Sequence, residues 1–326
     1  MLRWGVIGTG GIAAKFVSDL ELVPDASVVA VGSRAWDRGQ AFASQFAIPR
    51  GHASYLDLVD DEEVDVVYVA TPHGQHFDAV NLALDAGKHV LCEKAFTVNA
   101  RQAEALVAKA RAKGLFLMEA MWTRFLPHTM RIRELLARGA LGELVSVVAD
   151  HGQWFAYDPL HRLFNPELGG GAVLDLGVYP LSFASMILGS PSGVHATVTV
   201  APTGVDAADL IALTYDGGRH ASIYATLQAR TATRVMIVGT DARIEGGPRF
   251  YGPSSFDLIQ RDGTTEHFTF PHDGNGLRHQ AIEVGRCLRE GLTESPLMPL
   301  DETVAIMRVM DEVRAQGGIV LPGDQV

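Results

Sequence analysis

The six residues Gly8-Thr9-Gly10-Gly11-Ile12-Ala13 follow directly on the apolar run 3–7 and open a helical pattern over 11–20. A strand that turns into a helix in this way needs small residues at three points. The first lets the chain reverse, the second lets backbone approach an anion, and the third brings helix and strand close together. Ala13 serves as the small third residue. The first N–H groups of the helix have no partner within it and carry a partial positive charge, so the turn suits a pyrophosphate. Taken alone such a string is a weak signal; its place between strand and helix makes it informative. Gly8, Thr9, Gly10, Gly11 and Ile12 are expected to hold the diphosphate of a dinucleotide.

The rest of the first half repeats this grammar. Candidate strands at 3–7, 27–33, 65–70, 89–92 and 115–119 alternate with helical stretches at 11–20, 36–46, 55–59, 76–86 and 99–113. That alternation calls for a parallel sheet with helices on both faces, an α/β Rossmann domain. Asn99 with Gln102 three residues on makes a capping-box-like start, and Gly114 closes that helix. Beyond Trp122 the pattern changes. A helix over 127–138 precedes segments at 144–149, 193–201, 209–215, 220–227, 234–238, 256–259 and 266–270, with hairpin-type turns at Asp216-Gly217-Gly218 and Asp262-Gly263. These read as an α+β domain with a large, mostly antiparallel open sheet. Helices over 277–290 and 301–315 follow, the second with Val304, Met307, Met310 and Val313 on one stripe. The stripe does not say which domain they join. The expected division is 1–121 for dinucleotide binding and 122–326 for substrate binding and self-association.

The end of the second strand selects the dinucleotide, because a carboxylate there bonds the ribose hydroxyls and repels a 2′-phosphate. The chain reads Val31-Gly32-Ser33-Arg34-Ala35-Trp36-Asp37-Arg38. Ser33, Arg34 and Arg38 offer a hydroxyl and two guanidinium groups to that phosphate, which favours NADP(H). The alternative gives the ribose to Asp37 and leaves both arginines solvated, which favours NAD(H). With 38 acidic and 27 basic side chains the net charge is −11, which repels nucleic acid and anionic membranes and points to small-molecule partners. Neither cysteine, Cys92 or Cys287, has a companion at metal-ligand spacing, so no metal site is expected. With no leader-like start and no uninterrupted apolar run long enough to span a bilayer, the expected location is cytoplasmic.

Three strings remain that core packing does not explain: Thr71-Pro72-His73 through His76, Cys92-Glu93-Lys94, and Gly169-Gly170-Gly171 running into Asp175-Leu176-Gly177-Val178-Tyr179. The first two follow parallel strands, whose carboxyl ends line the ligand crevice, so Thr71, Pro72, His73, His76, Glu93 and Lys94 are expected near the nicotinamide. For His76 a capping or satisfied-core role fits as well. The triple glycine reads as backbone clearance for the turn that enters the Asp175 helix.

With these residues in hand the chain resembles the glucose-fructose oxidoreductase, inositol dehydrogenase and rhizopine-catabolism family (Gfo/Idh/MocA) over nearly its whole length. The family's Glu-Lys-Pro motif supplies a catalytic lysine, which maps onto Lys94, with Ala95 where proline is usual. Many members carry an Asp-x-x-x-His motif; here Tyr179 takes the histidine position. Together with Glu119-Ala120-Met121-Trp122-Thr123-Arg124-Phe125, that replacement resembles the branch of the dihydrodiol and NADP-dependent D-xylose dehydrogenases, in which tyrosine is the acid/base. The resemblance implies hydride transfer between NADP(H) and a carbinol or hemiacetal carbon of a sugar or cyclic diol. Tyr179 would be the acid/base, Lys94 the cation beside it, and Asp175 an orienting group. Trp122, Trp154 and Phe155 would wall the substrate pocket, and Arg162 would either bind a substrate hydroxyl or form a surface ion pair. A homodimer or higher oligomer through the second-domain sheet is also implied. A different class of reading, a non-catalytic dinucleotide-responsive regulator, fits the same fold.

Overall fold

The computed structural model describes residues 1–324, so 325–326 of the expected second domain lie outside the described residues. In chain order the first unit contains β1 (Leu2–Ile7), α1 (Gly11–Leu20), β2 (Ala26–Gly32), α2 (Trp36–Gln45), β3 (Arg50–His52), α3 (Tyr55–Val59), β4 (Val66–Val69), α4 (His76–Asp85), β5 (His89–Glu93), α5 (Ala100–Lys113) and β6 (Leu117–Ala120). The strands form one sheet in the order β3-β2-β1-β4-β5-β6. Every neighbouring pair is parallel, as crossover helices require. The order reverses direction on either side of β1, which puts the ligand crevice of such a sheet at the carboxyl ends of β1 and β4. Central strands are buried on both faces: Val66, Val67, Tyr68 and Val69 of β4 are wholly inaccessible. The start of α5 is held as its sequence suggests, with Asn99 Oδ1 accepting from Gln102 N at 2.9 Å. The reciprocal bond comes from one residue earlier, with Val98 N donating to Gln102 Oε1. Gly114, at φ 64°, closes the helix in the left-handed conformation.

The chain leaves this unit after Met121 and returns to it for Asp273–Val304. The second unit, Trp122–His272 and the chain from Ala305 onward, contains α6 (Pro127–Ala137), β7 (Leu144–Gly152), α7 (Val178–Leu188), β8 (Gly193–Val200), β9 (Asp206–Thr214), β10 (His220–Thr226), β11 (Val235–Gly239), β12 (Ala242–Gly246), β13 (Phe256–Gln260) and β14 (Thr265–Phe268). Its sheet runs β14-β13-β12-β11-β7-β10-β9-β8. The pairing is antiparallel except between β7 and β10. The last helices are α8 (Arg278–Arg289), inside the returning segment, and α9 (Leu300–Gln316). Within the first unit, buried Asp19 at the end of α1 accepts from Asn275 N and Leu277 N, both at 2.7 Å, and so fixes the chain entering α8.

One expectation needs correction. Pro166–Leu188 is long and apolar enough to cross a membrane by length and composition, with a mean hydropathy of 1.5. The fold accounts for it, because 83% of that window is buried inside the protein. It is apolar because it is core, and the polar groups it carries, Asp175 and Tyr179, belong to the site described next.

Candidate active site

In the first unit, Gly8 and Gly10 are glycine for different reasons. Gly8 sits at φ +107°, and a Cβ there would lie 2.7 Å from the carbonyl oxygen of Ala70. The fold itself demands glycine at that point. Gly10 has φ −83° and ψ 177°, open to any residue, and a Cβ on it would meet nothing within 4 Å. Nothing in the protein requires glycine at position 10, whereas a dinucleotide lying against the backbone would. Gly10 is the N-cap of α1, with no side-chain cap and no acidic residue in the first turn, so free N–H groups and the positive end of the helix face that open space. Thr9 is half-buried beside it, while Gly11 and Ile12 are exposed. Thr71, at the carboxyl end of β4, has a buried hydroxyl without a hydrogen-bond partner among the described residues. These features fit a dinucleotide whose pyrophosphate lies on α1.

Around this crevice the other expected residues divide by exposure. Arg34 and Arg38 are exposed and free to reach a phosphate. Ser33 is buried, and its Oγ accepts from Ala35 N at 3.2 Å, which shapes the turn between β2 and α2. Pro72 is half-buried, and His73 begins a short 3₁₀ turn with its ring edge-on to His76, centroids 5.6 Å apart. His76 is fully buried between the Thr71 and Ala95 carbonyl oxygens, at 2.8 and 2.9 Å. Burial pushes its pKa down, and the neutral imidazole donates to only one of the two. It ties the loop after β4 to the loop after β5. Glu93 is buried; Tyr68 Oη donates to it at 2.5 Å and Lys94 N at 3.2 Å. Lys94 is half-buried.

In the second unit, Asp175 and Tyr179 come from one continuous helical segment. Residues Val173–Gly177 form a π turn that runs into α7, a widened geometry often found at functional sites. Gly170 and Gly171 let this segment enter close to its neighbours. A Cβ on Gly170 would meet the Leu163 carbonyl oxygen at 2.7 Å, and one on Gly171, at φ +126°, would overlap the Asp206 carboxylate. Asp175 is buried and accepts from Arg162 Nη1 at 2.9 Å, so Arg162 forms an ion pair with an acid of the site. Tyr179 is only 8% exposed. Its hydroxyl oxygen accepts from Trp122 Nε1 at 3.3 Å. Two further rings lie beside it: His151, with its centroid 5.3 Å from that of Tyr179, and Tyr251, at 5.0 Å. His151 and Tyr251 stack on each other at 4.4 Å. Trp154 is 60% exposed, and Phe155 stacks on His161 with centroids 6.2 Å apart. Among the described residues no three His, Cys, Asp or Glu side chains cluster as a metal would need.

A fold of this type, with a glycine turn in one unit and an acid–tyrosine turn in the other, has recognisable relatives. Residues 2–121 match the model of the oxidoreductase family with NAD-binding Rossmann fold (GFO_IDH_MocA), and residues 129–245 match the GFO/IDH/MocA C-terminal domain. The chain belongs to the Gfo/Idh/MocA oxidoreductase family. Among curated relatives, trans-1,2-dihydrobenzene-1,2-diol dehydrogenase of Bos taurus is 38% identical over 337 residues, covering 99% of each chain. D-xylose 1-dehydrogenase (NADP(+)) of Hypocrea jecorina is 38% identical over 367 residues, covering 98% of this chain and 93% of the relative. Among solved structures, KijD10, a 3-ketoreductase from Actinomadura kijaniata in complex with NADP and TDP-benzene, superimposes with a TM-score of 0.84. It is 28% identical and covers 96% of this chain and 97% of that one.

His151, Gln153 and Tyr251 surround the site without having been expected there. His151 carried a signal, since it continues the inward-facing alternation of β7 through Val147 and Ala149. Gln153 Nε2 lies 3.0 Å from its Nε2 and fixes the ring. Tyr251 lies outside every strand and helix, where no periodicity marks it.

Proposed function

We propose that this protein is an NADP-dependent oxidoreductase that transfers a hydride between the nicotinamide and a carbinol or hemiacetal carbon of a sugar or cyclic diol. The observation that carries the reading is the setting of Tyr179, a buried phenol with an indole N–H at its oxygen. Bound NADP(H) supplies the hydride acceptor or donor. Oxidation of an alcohol also needs a base for the hydroxyl proton, and Tyr179 takes that role. A free phenol, with a pKa of ~10, is a weak base at neutral pH, so its anion must be stabilised. Trp122 donates a hydrogen bond to the oxygen, and in this reading Lys94 adds a fixed positive charge. Asp175, held by Arg162, accepts from a second substrate hydroxyl and so fixes which carbon faces the nicotinamide. Trp122, His151 and Tyr251 give the sugar or diol ring an aromatic wall.

NADP(H) is favoured over NAD(H) because β2 ends without a carboxylate and Arg34 and Arg38 stand exposed just beyond it. The NADP named for two of the relatives supports the same choice. Val148, Leu210 and Tyr224 are exposed apolar residues on the adjacent strands β7, β9 and β10, a surface suited to a second copy of the sheet. Incubating the protein with NADP⁺ or NAD⁺ and a panel of aldoses and trans-diols, and following the reduced-nicotinamide absorbance, tests the proposal. Reduction of NADP⁺ by at least one sugar or diol is expected. NADPH binding without turnover on the whole panel would instead mark a regulator.

A further inference from the structure

Asp206 and Asp209 are both 0% exposed, yet neither is needed by the chemistry proposed above. Three residues apart in a regular strand they would face opposite ways. A bulge prevents this: Val200 pairs with Asp206 while Thr199 pairs with Ala208, so Ala207 is extra and both acids turn to the same face. Asp206 Oδ2 accepts from Val173 N at 2.5 Å, the first residue of the π turn that carries Asp175 and leads to Tyr179. Its other oxygen occupies the place a Gly171 side chain would take. Asp206 Oδ1 and both oxygens of Asp209 find no donor elsewhere among the described residues. The two carboxyls lie within hydrogen-bonding reach of one another.

Two buried carboxylates side by side repel, so one of them keeps a proton. Asp206 already receives an N–H bond and faces the cation Arg314 of α9, itself paired to Asp311 and Asp324, so its anion is the better supported. Asp209 lies opposite Val198 of β8 and Ala225 of β10, which carry no charge. The one acid on the π turn, Asp175, is paired to Arg162. Burial and the Asp206 charge push the Asp209 carboxyl up to about 10, so it is Asp209 that stays neutral and donates to Asp206.

We propose that Asp206 and Asp209 share one proton and act as a positioning pair that anchors the turn presenting Asp175 and Tyr179. The positioning half of this rests on the role proposed above for Tyr179; the shared proton does not. Native Asp209 holds its proton far above the pH at which the unfolded side chain releases it. Its contribution to stability is therefore complete below the ordinary carboxylate range and is lost as pH rises toward the raised value.

Urea unfolding of the full chain between pH 6 and 9 compares wild type with Asp209→Asn and Asp209→Leu, neither of which has a proton to lose. The folding constant of each variant relative to wild type is expected to rise with pH, approaching tenfold per unit. Ratios flat with pH would overturn the shared proton. For positioning, Asp206→Asn is expected to lower kcat while leaving KM for NADP(H) unchanged, and a folded variant with wild-type kcat would overturn it. Because the native proton leaves only as pH approaches the raised value, should Asp206→Asn not fold, the turnover ratio of Asp209→Asn to wild type between pH 8 and 10.5 serves instead. It is expected to rise, and a constant ratio would overturn the anchor. If Tyr179→Phe keeps full turnover while the unfolding ratios still rise with pH, the catalytic reading fails and the shared proton stands.

Discussion

Replacing Gly10 by alanine separates what the fold asks of the glycine turn from what a ligand asks of it. At φ −83° and ψ 177°, with open space around the missing Cβ, alanine introduces neither strain nor overlap. The roughly 0.5–1 kcal/mol lost when alanine replaces glycine at an N-cap and the ~0.4–1 kcal/mol gained by restricting the unfolded chain oppose each other. Stability should therefore change by less than about 0.5 kcal/mol. Gly8→Ala is the control, because φ +107° and a Cβ 2.7 Å from the Ala70 oxygen force the backbone to move. That change should destabilise the chain by roughly 1–3 kcal/mol. Binding should respond in the opposite order of cleanliness. A methyl at Gly10 pushes a pyrophosphate off the α1 N–H groups, and one charge-assisted hydrogen bond is worth about 1.5–3 kcal/mol. Kd for NADPH should rise on the order of 10- to 100-fold. Urea unfolding and a fluorescence titration with NADPH measure the two effects. Wild-type affinity in Gly10→Ala, or an unfolding midpoint as low as that of Gly8→Ala, would refute the reasoning.

Two further outcomes follow from local features. Replacing both Arg34 and Arg38 by alanine should raise KM for NADP(H) about 10²- to 10⁴-fold and leave KM for NAD(H) nearly unchanged, since each removes a charge-assisted bond to the 2′-phosphate alone; an equal loss for both cofactors would count against the assignment. Burial pushes the His128 pKa down to about 4, with Nε2 3.0 Å from the Phe250 carbonyl oxygen. A depressed value means that its stability contribution is complete above ~6.5 and is lost as pH falls through 4, about 3 kcal/mol in all. His128→Phe should flatten acid unfolding over that window, and an unchanged acid limb would remove His128 as its cause.

Much of the architecture was legible because two periodicities and a few glycines express it. The strands β1, β2, β4 and β5 are apolar on both faces, and Asn99, Gln102 and Gly114 mark α5 by their own chemistry. Short elements with few apolar residues were not legible. Strand β3 (Arg50–His52) has no apolar residue and exists because Gly51 pairs with β2 and Gln40 bonds its carbonyl. Strand β12 (Ala242–Gly246) carries one large apolar residue, Ile244, and depends on β11 and β13 on either side. The return of 273–304 to the first unit, fixed in part by Asp19 across more than 250 residues, rests on contacts far apart in sequence, which no local pattern encodes. At the site, Asp175 and Tyr179 could be read from their spacing and from resemblance. The stack of Tyr251 on His151 could not, because it joins a loop to a strand. The bulge at Ala207 was equally hidden, since bulges follow from pairing and not from composition.

The most direct test of the account is Tyr179→Phe, assayed for turnover on a sugar or diol that wild type oxidises and for NADPH affinity in the same preparation. Removing only the hydroxyl leaves the ring among Trp122, His151 and Tyr251. Turnover is predicted to fall by about 10²- to 10⁴-fold, the usual worth of a positioned acid/base, with NADPH affinity nearly unchanged. Wild-type turnover in the folded variant would contradict the assignment of Tyr179 and with it the proposed chemistry.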